Sequence, residues 1–149
     1  MSDEYKPWNV KRTVQLGARA EEVWEVIGGF YTIHEWHPDI AGTKIPDNQT
    51  EMRQQRRILD FPGQPPTTEE LDFLDNEDFH YCYHWHAGAW GEAVKNYRAS
   101  IRVFPGDLDK TCTVLWNCTF DYPTDAISDF YNNGFRALLE RFPLPCDSE

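Results

Sequence analysis

The sequence predicts an α+β domain in which an antiparallel run of strands is flanked by helices at two points. Three observations carry this. Ala20, Val23, Trp24, Ile27 and Tyr31 fall at i, i+3, i+4, i+7 and i+11, one face of a helical period. Between Trp8 and Tyr122, several segments alternate apolar and polar residues with a period of two. A second apolar stripe at helical spacing, Ile127, Phe130, Tyr131, Gly134 and Leu138, follows the last strand. The order is strand, two short helices, a meander, then one long helix, which suits helices packed on one side of an antiparallel sheet. A strongly bent sheet around a long helix leaves room for a cavity between them.

Taken in order, Met1 to Pro7 reads as a leader. Trp8 to Leu16 is a first strand, with Val10, Arg12, Val14 and Leu16 on one face. The first helix follows, its Glu21, Glu22 and Glu25 on the face away from the apolar stripe, where acids suit the N-terminal dipole. Gly28-Gly29 ends it, and Pro38 pushes His37 out of helical geometry after a second short turn. Ala41 to Pro46 is a short strand, and Glu51 to Phe61 a third with a polar start. The segment from Phe61 to Thr68 holds Pro62-Gly63 and Pro65-Pro66, a turn with a stiff insert. Glu69 to Asp75 alternates Glu69, Leu71 and Phe73 against Glu70, Asp72 and Leu74. Phe79 to Ala87 sets Tyr81, Tyr83 and Trp85 on one face and His80, Cys82, His84 and His86 on the other. Ala93 to Phe104 and Thr111 to Tyr122 complete the meander, the second with Val114, Trp116, Cys118 and Phe120 on one face. Pro123 and Thr124 open the last helix, over Ala126–Phe142, and Pro143 and Pro145 close it.

The chain has 149 residues, which fits one domain able to bury a core. Its formal charge is -11, from 14 basic and 25 acidic residues, which disfavours nucleic acid and anionic membrane surfaces as partners. Aromatic residues make up 15%, a content that suits a lined pocket as well as an aromatic core. No apolar run is long enough for a signal peptide or a membrane span, so a cytoplasmic protein is expected. Cys82, Cys112, Cys118 and Cys146 form no C-x-x-C pair and read as reduced packing thiols.

Read together, these residues resemble the SRPBCC or START-like superfamily, and within it the polyketide cyclase/dehydrase branch. The resemblance rests on Ala20-Glu-Glu-Val-Trp with Phe30 and Trp36-His37-Pro38. It continues through Arg56, Glu69-Glu70-Leu71 with Asp75, Tyr83, Asn96-Tyr97-Arg98-Ala99 and Trp116, and covers nearly the whole chain. It implies a helix-grip fold: a curved antiparallel sheet around a long C-terminal helix, with an internal cavity. It also implies a small apolar or aromatic ligand, either cyclised or dehydrated, or simply carried. Fold alone does not choose between these. The proline-rich turn before Glu69 and the loop from His86 to Lys95, with Trp90, are longer than the family pattern, and both are expected at the cavity mouth.

The resemblance places His37, Arg56, Glu69, Tyr83, Tyr97 and Trp116 on the cavity side, and strand alternation agrees. His37 is then the natural acid/base, because its ordinary pKa lies near neutrality, with a hydrogen-bonded histidine at a helix end as the equal alternative. Glu69 on an apolar face needs a partner, and Arg56 on the neighbouring strand is the expected one. That pair either fixes strand register or, with Tyr97, positions an oxygen of the ligand. Trp36, Tyr83, Trp85, Trp90, Trp116 and Tyr131 are candidates for the lining, with plain packing as the alternative for each. No metal or organic cofactor is expected: the histidines of the Phe79–Ala87 strand lie on the outer face, and there is no H-E-x-x-H. G-x-S-x-G, P-loop and dinucleotide motifs are missing too. The expected partner is a small aromatic or apolar molecule, and a second copy of the chain stays open. Three classes remain: a cyclase or dehydratase, a non-catalytic carrier or sensor, and an interaction module with an aromatic core.

Overall fold

The computed structural model describes residues 8–46, 55–88, 96–120 and 125–144. Strand β1 (Trp8–Leu16) leads to helix α1 (Ala20–Ile27) and a single 3-10 turn over Ile33–Glu35. Strands β2 (Gly42–Lys44), β3 (Arg56–Asp60), β4 (Thr67–Asp75), β5 (His80–Gly88), β6 (Arg98–Pro105) and β7 (Cys112–Phe120) follow, then helix α2 (Asp125–Arg141). The seven strands form one antiparallel sheet in the order β1-β7-β6-β5-β4-β3-β2. This is the helix-grip arrangement expected from the sequence.

Local chemistry sets the element ends. The backbone N–H of Arg19 donates to Glu22 Oε1 at 3.2 Å, closing the start of α1, and Gly28 N–H donates to Trp24 O at 2.8 Å at its end. At the β4–β5 turn, Asp75 Oδ1 accepts from the backbone N–H groups of Glu77 and Asp78, at 2.9 and 3.1 Å. The turn puts Phe79 at φ 53°, a left-handed conformation unusual for a bulky residue, and its ring packs 5.7 Å from that of Trp24.

Strand β2 is shorter than expected, and β3 and β6 start later among the described residues. The third starts at Arg56, and residues 47–54 lie outside the described part. The sixth starts at Arg98, after Asn96 at φ 60°, and residues 89–95, with Trp90, also lie outside it. In β4 the alternation does not hold throughout. Register shifts between Thr68 and Glu69 and between Leu71 and Phe73 change which residues share a face. Leu71 stands opposite Tyr83, whereas Phe73 stands opposite Cys82, on the outer face, and is 48% exposed. The expectation that Phe73 shares the inner face with Glu69 and Leu71 is therefore corrected by a bulge.

The core fills the space between the inner face of the sheet and the two helices. Ala99, Ile101, Val103, Val114, Trp116, Cys118 and Phe120 are buried, against Val23, Trp24 and Ile27 of α1 and Ile127, Tyr131, Phe135 and Leu138 of α2. Helix α2 is tied to the sheet at both ends. Arg12 donates to Ser128 Oγ at 2.6 Å, and Gly17 N–H donates to Phe142 O at 2.9 Å.

Candidate functional site

Two arginines and two acids meet where β3 and β4 run side by side, and strand parity sorts them onto opposite faces. Arg57 stands opposite Glu69 and Arg56 opposite Glu70. On the inner face, Arg57 is fully buried. Its Nε and Nη2 both donate to Glu69 Oε1, at 2.9 and 2.7 Å, and its Nη1 donates to Phe30 O at 2.7 Å. Its guanidinium carbon lies 4.2 Å from the ring centre of Phe30 and 4.8 Å from that of Tyr83. On the outer face, Arg56 Nε donates to Glu70 Oε1 at 2.7 Å. The expected Arg56–Glu69 pair is thus corrected by one residue: Arg57 is the inner partner, and Arg56 takes no part in the interior.

Burial pushes the Glu69 carboxyl up from its ordinary value, while the Arg57 charge and hydrogen bonds pull against it. Arg57 stays charged, its pKa held above the usual arginine value: burial, the largest effect, would lower it, but the Glu69 charge together with Tyr81 and Tyr83 outweighs it. Both arginine nitrogens converge on Glu69 Oε1.

Glu69 lies on the wall of a cleft whose other walls are Phe61, Thr67, Trp85, Tyr97, Ala126, Ile127 and Phe130. Sequence order scatters these residues, but the fold gathers them: the β3–β4 turn, the far ends of β4 and β5, the start of β6 and the first turns of α2. The cleft encloses about 40 Å³, room for roughly two or three water molecules. A drug-sized ligand needs several hundred Å³. The space between sheet and helix is therefore mostly occupied by side chains.

Those side chains are the aromatic residues expected to line it. The rings of Trp116 and Tyr131 stack at 4.0 Å and 11°, and Trp116 Nε1 donates to Tyr83 Oη at 3.0 Å. Tyr97 and Tyr131 share a hydroxyl–hydroxyl hydrogen bond of 2.7 Å. Burial raises the pKa of Tyr83, Tyr97 and Tyr131 well above the usual phenol, which keeps all three neutral. Trp36, Tyr83, Trp116 and Tyr131 thus form the packed interior rather than the cleft wall. Trp85 and the ring of Tyr97 remain on the wall, and Trp90 lies outside the described residues.

His37 sits apart from the cleft and is 1% exposed. Its Nδ1 accepts from Asp39 N–H at 3.1 Å, so Nε2 carries the proton and donates to Phe130 O at 2.7 Å. The ring stacks on Phe130 at 3.9 Å. Burial holds its pKa down at about 4, against smaller raising effects from the Phe130 hydrogen bond and Asp39. Both nitrogens are committed to backbone groups, and the ring anchors the 3-10 turn to α2. This geometry leaves His37 no proton to exchange with a ligand in the cleft, which corrects its expected place beside the reacting groups.

The outer-face histidines lie away from the cleft, as expected. His84 Nδ1 lies 2.9 Å from Asp72 Oδ1, and its Nε2 3.4 Å from Glu70 Oε2. Glu70, Asp72 and His84 bring three donor atoms within 4.8 Å of one another, a spacing that could hold a cation. Their contacts with one another, and the Arg56–Glu70 ion pair, join them in one polar network.

Five wall residues, Phe61, Thr67, Ala126, Ile127 and Phe130, and Arg57 behind Glu69 are not among the expected site residues; the last helix's three read from the sequence only as its start and its buried stripe. Arg57 was hidden because Arg56-Arg57-Ile58-Leu59 alternates equally well in either phase. Thr67 fell in the assumed proline turn, yet it begins β4. Phe61 was read only as the end of a strand, and no sequence signal marks it as a wall.

The chain belongs to the polyketide cyclase/dehydrase and lipid transport family, whose sequence pattern it matches over residues 7–142. No curated protein matches it. Among solved structures, it is similar to the XoxI protein of Bacillus cereus, at 23% identity and a TM-score of 0.78, covering 90% of this chain and 94% of that one. It is similar to an uncharacterised protein of Bacillus thuringiensis, at 24% identity and a TM-score of 0.78, covering 91% and 98%. It is also similar to a protein of Thermobifida fusca, at 26% identity and a TM-score of 0.76, covering 89% and 91%. These likenesses carry the fold. No described helix is long and apolar enough to cross a membrane.

Proposed function

We propose that this protein binds a small, largely aromatic molecule, of polyketide-like character, in the cleft beside Glu69. The observation that carries the reading is the Glu69 carboxylate, held by Arg57 on one oxygen and set on a wall built from the rings of Phe61, Trp85, Tyr97 and Phe130. Convergent polar groups in an apolar concavity are the usual mark of a small-molecule site. The cyclase, dehydrase and transport activities in the family's description support the ligand class. The enclosed space is small, so the ligand opens the mouth as it enters or leaves part of its body outside. The free thiols Cys82, Cys112 and Cys118 suit a reducing compartment, in keeping with a cytoplasmic protein.

A catalytic form of the same reading assigns proton transfer to Glu69. Burial raises its pKa towards neutrality, as a general acid or base requires, and Arg57 fixes its orientation. His37 has no such access. Cyclisation or dehydration would then proceed largely by holding the substrate in a reactive conformation.

The test is native mass spectrometry of the purified protein, followed by titration with an aromatic panel while Trp85 is observed by NMR. A one-to-one small-molecule adduct, or a saturable shift of the Trp85 indole, is expected. If no molecule co-purifies and no panel member shifts a cleft residue, the binding reading falls and the interaction module takes its place.

A further inference from the structure

We infer that the cleft selects a ligand with a neutral hydroxyl head on an aromatic body, and discriminates against both carboxylates and organic cations. The inference rests on the binding reading above and adds the chemistry of the head group.

Two atoms define that chemistry. Thr67 Oγ1 is buried without a hydrogen-bond partner among the described residues, and Thr67 lines the cleft at 3% exposure. A buried polar atom left unpaired is costly, so its presence on a cleft wall points to a partner supplied from the cleft. The second is Glu69 Oε2, the oxygen of the same wall's carboxylate that the two Arg57 donors on Oε1 do not take. A carboxylate oxygen accepts, whereas a threonine hydroxyl both donates and accepts. A hydroxyl group satisfies both at once: it donates to Glu69 and accepts from Thr67.

The alternatives fit less well. A ligand carboxylate only accepts, so it could pair with Thr67 but could not donate to Glu69. The first turn of α2, with Ala126 and Ile127 on the wall, favours an anion, so the carboxylate is a real competitor; that effect is modest at a helix end. An ammonium would find Glu69 already neutralised by Arg57, whose Nε and Nη2 lie 2.9 and 2.7 Å from Oε1. The fixed guanidinium behind the carboxylate would repel a second cation. The enclosed 40 Å³ admits a head group and the edge of a ring, with the body among Phe61, Trp85 and Phe130.

The experiment titrates the full chain with p-cresol, toluene, benzoate and benzylammonium, followed by the NMR shift of the Trp85 indole. We expect p-cresol to bind at least tenfold more tightly than each of the others. Thr67→Val removes the hydroxyl and leaves Arg57–Glu69 intact. It should bring p-cresol to within about threefold of toluene, leave toluene unchanged, and melt no lower than the parent. Glu69→Gln should act in the same direction; because it strands Arg57, Thr67→Val decides the matter if Glu69→Gln does not fold. Benzoate or benzylammonium binding as tightly as p-cresol overturns the inference while leaving the cleft a binding site. So does a p-cresol preference that survives Thr67→Val. If none of the four shifts Trp85, this inference fails, and the binding reading falls with it if no molecule co-purifies either.

Discussion

Arg57 Nη2 lies 2.7 Å from Glu69 Oε1, directly across the β3–β4 ladder, and both side chains are buried. The guanidinium also holds Phe30 O, so it joins the sheet to the segment following α1. Replacing Arg57 with Met should therefore cost about 3–5 kcal/mol, because Glu69 would be left as an uncompensated buried charge. Replacing both with Met should cost less than the sum of the single losses, since the two are coupled. Arg56→Ala should cost no more than about 1 kcal/mol, because that arginine is 42% exposed and solvent screens its pair. Urea unfolding of the four variants checks this. Equal losses at Arg56 and Arg57 would contradict the assignment of faces.

His37 should make stability depend on acid. Its folded pKa of about 4 lies below its ordinary value of 6.5. As pH falls below 6.5, the unfolded chain takes up this proton first, so stability falls until about pH 4 and then levels. The loss attributable to His37 is roughly 3 kcal/mol across that window. His37→Gln should remove this part of the slope. Denaturation midpoints at pH 7, 5.5 and 4.5 measure it, and an unchanged slope in the variant would sink the argument.

Gly134 should resist substitution although it sits inside a helix. A Cβ there would come 2.7 Å from His37 Cδ2, 2.9 Å from His37 Nε2 and 3.2 Å from Trp116 Cζ3. Neither ring can give way: His37 is clamped by its two hydrogen bonds and Trp116 is stacked on Tyr131. Gly134→Ala gains about 1 kcal/mol of helix propensity but forces an overpacked contact worth about 1–3 kcal/mol. We expect a net loss in thermal stability. Asn132→Ala, at an exposed position in the same helix, should instead gain a little. If Gly134→Ala is as stabilising as Asn132→Ala, the close approach is not there.

The fold was legible because its signals are periodic and long. Eight residues of α1, the stripe of α2 and the alternation of β5 to β7 each repeat enough to fix a face. The site was less legible because it depends on phase. In β3, each parity offers one arginine and one aliphatic residue, so alternation could not choose Arg57 over Arg56. In β4, the register shift before Phe73 breaks a rule that assumes regular pleating. His37 was placed by its usual chemistry, which says nothing of two backbone groups closing on its ring. Whether a gathered set of rings lines a space or fills it depends on packing distances such as the 4.0 Å Trp116–Tyr131 stack, which no spacing encodes.

Tyr97 separates lining from chemistry. Its ring is on the cleft wall, but its hydroxyl is bonded to that of Tyr131 at 2.7 Å. Tyr97→Phe keeps the ring and leaves the Tyr131 hydroxyl without this partner. Such a loss in a buried site costs about 1–3 kcal/mol. Tyr131→Phe should cost a similar amount, since a Phe ring preserves the stack on Trp116, and the double variant should cost less than the two together. Ligand affinity should stay within about threefold in Tyr97→Phe, below the tenfold step that 1.4 kcal/mol represents, because the apolar wall is unchanged. The measurements are a double-mutant cycle by urea unfolding and p-cresol titration of each folded variant. A large affinity loss with little loss of stability would place the Tyr97 hydroxyl on the ligand and return it to the role of orienting group. The opposite pattern assigns head-group recognition to Glu69 and Thr67 and leaves Tyr97 as a wall held from behind.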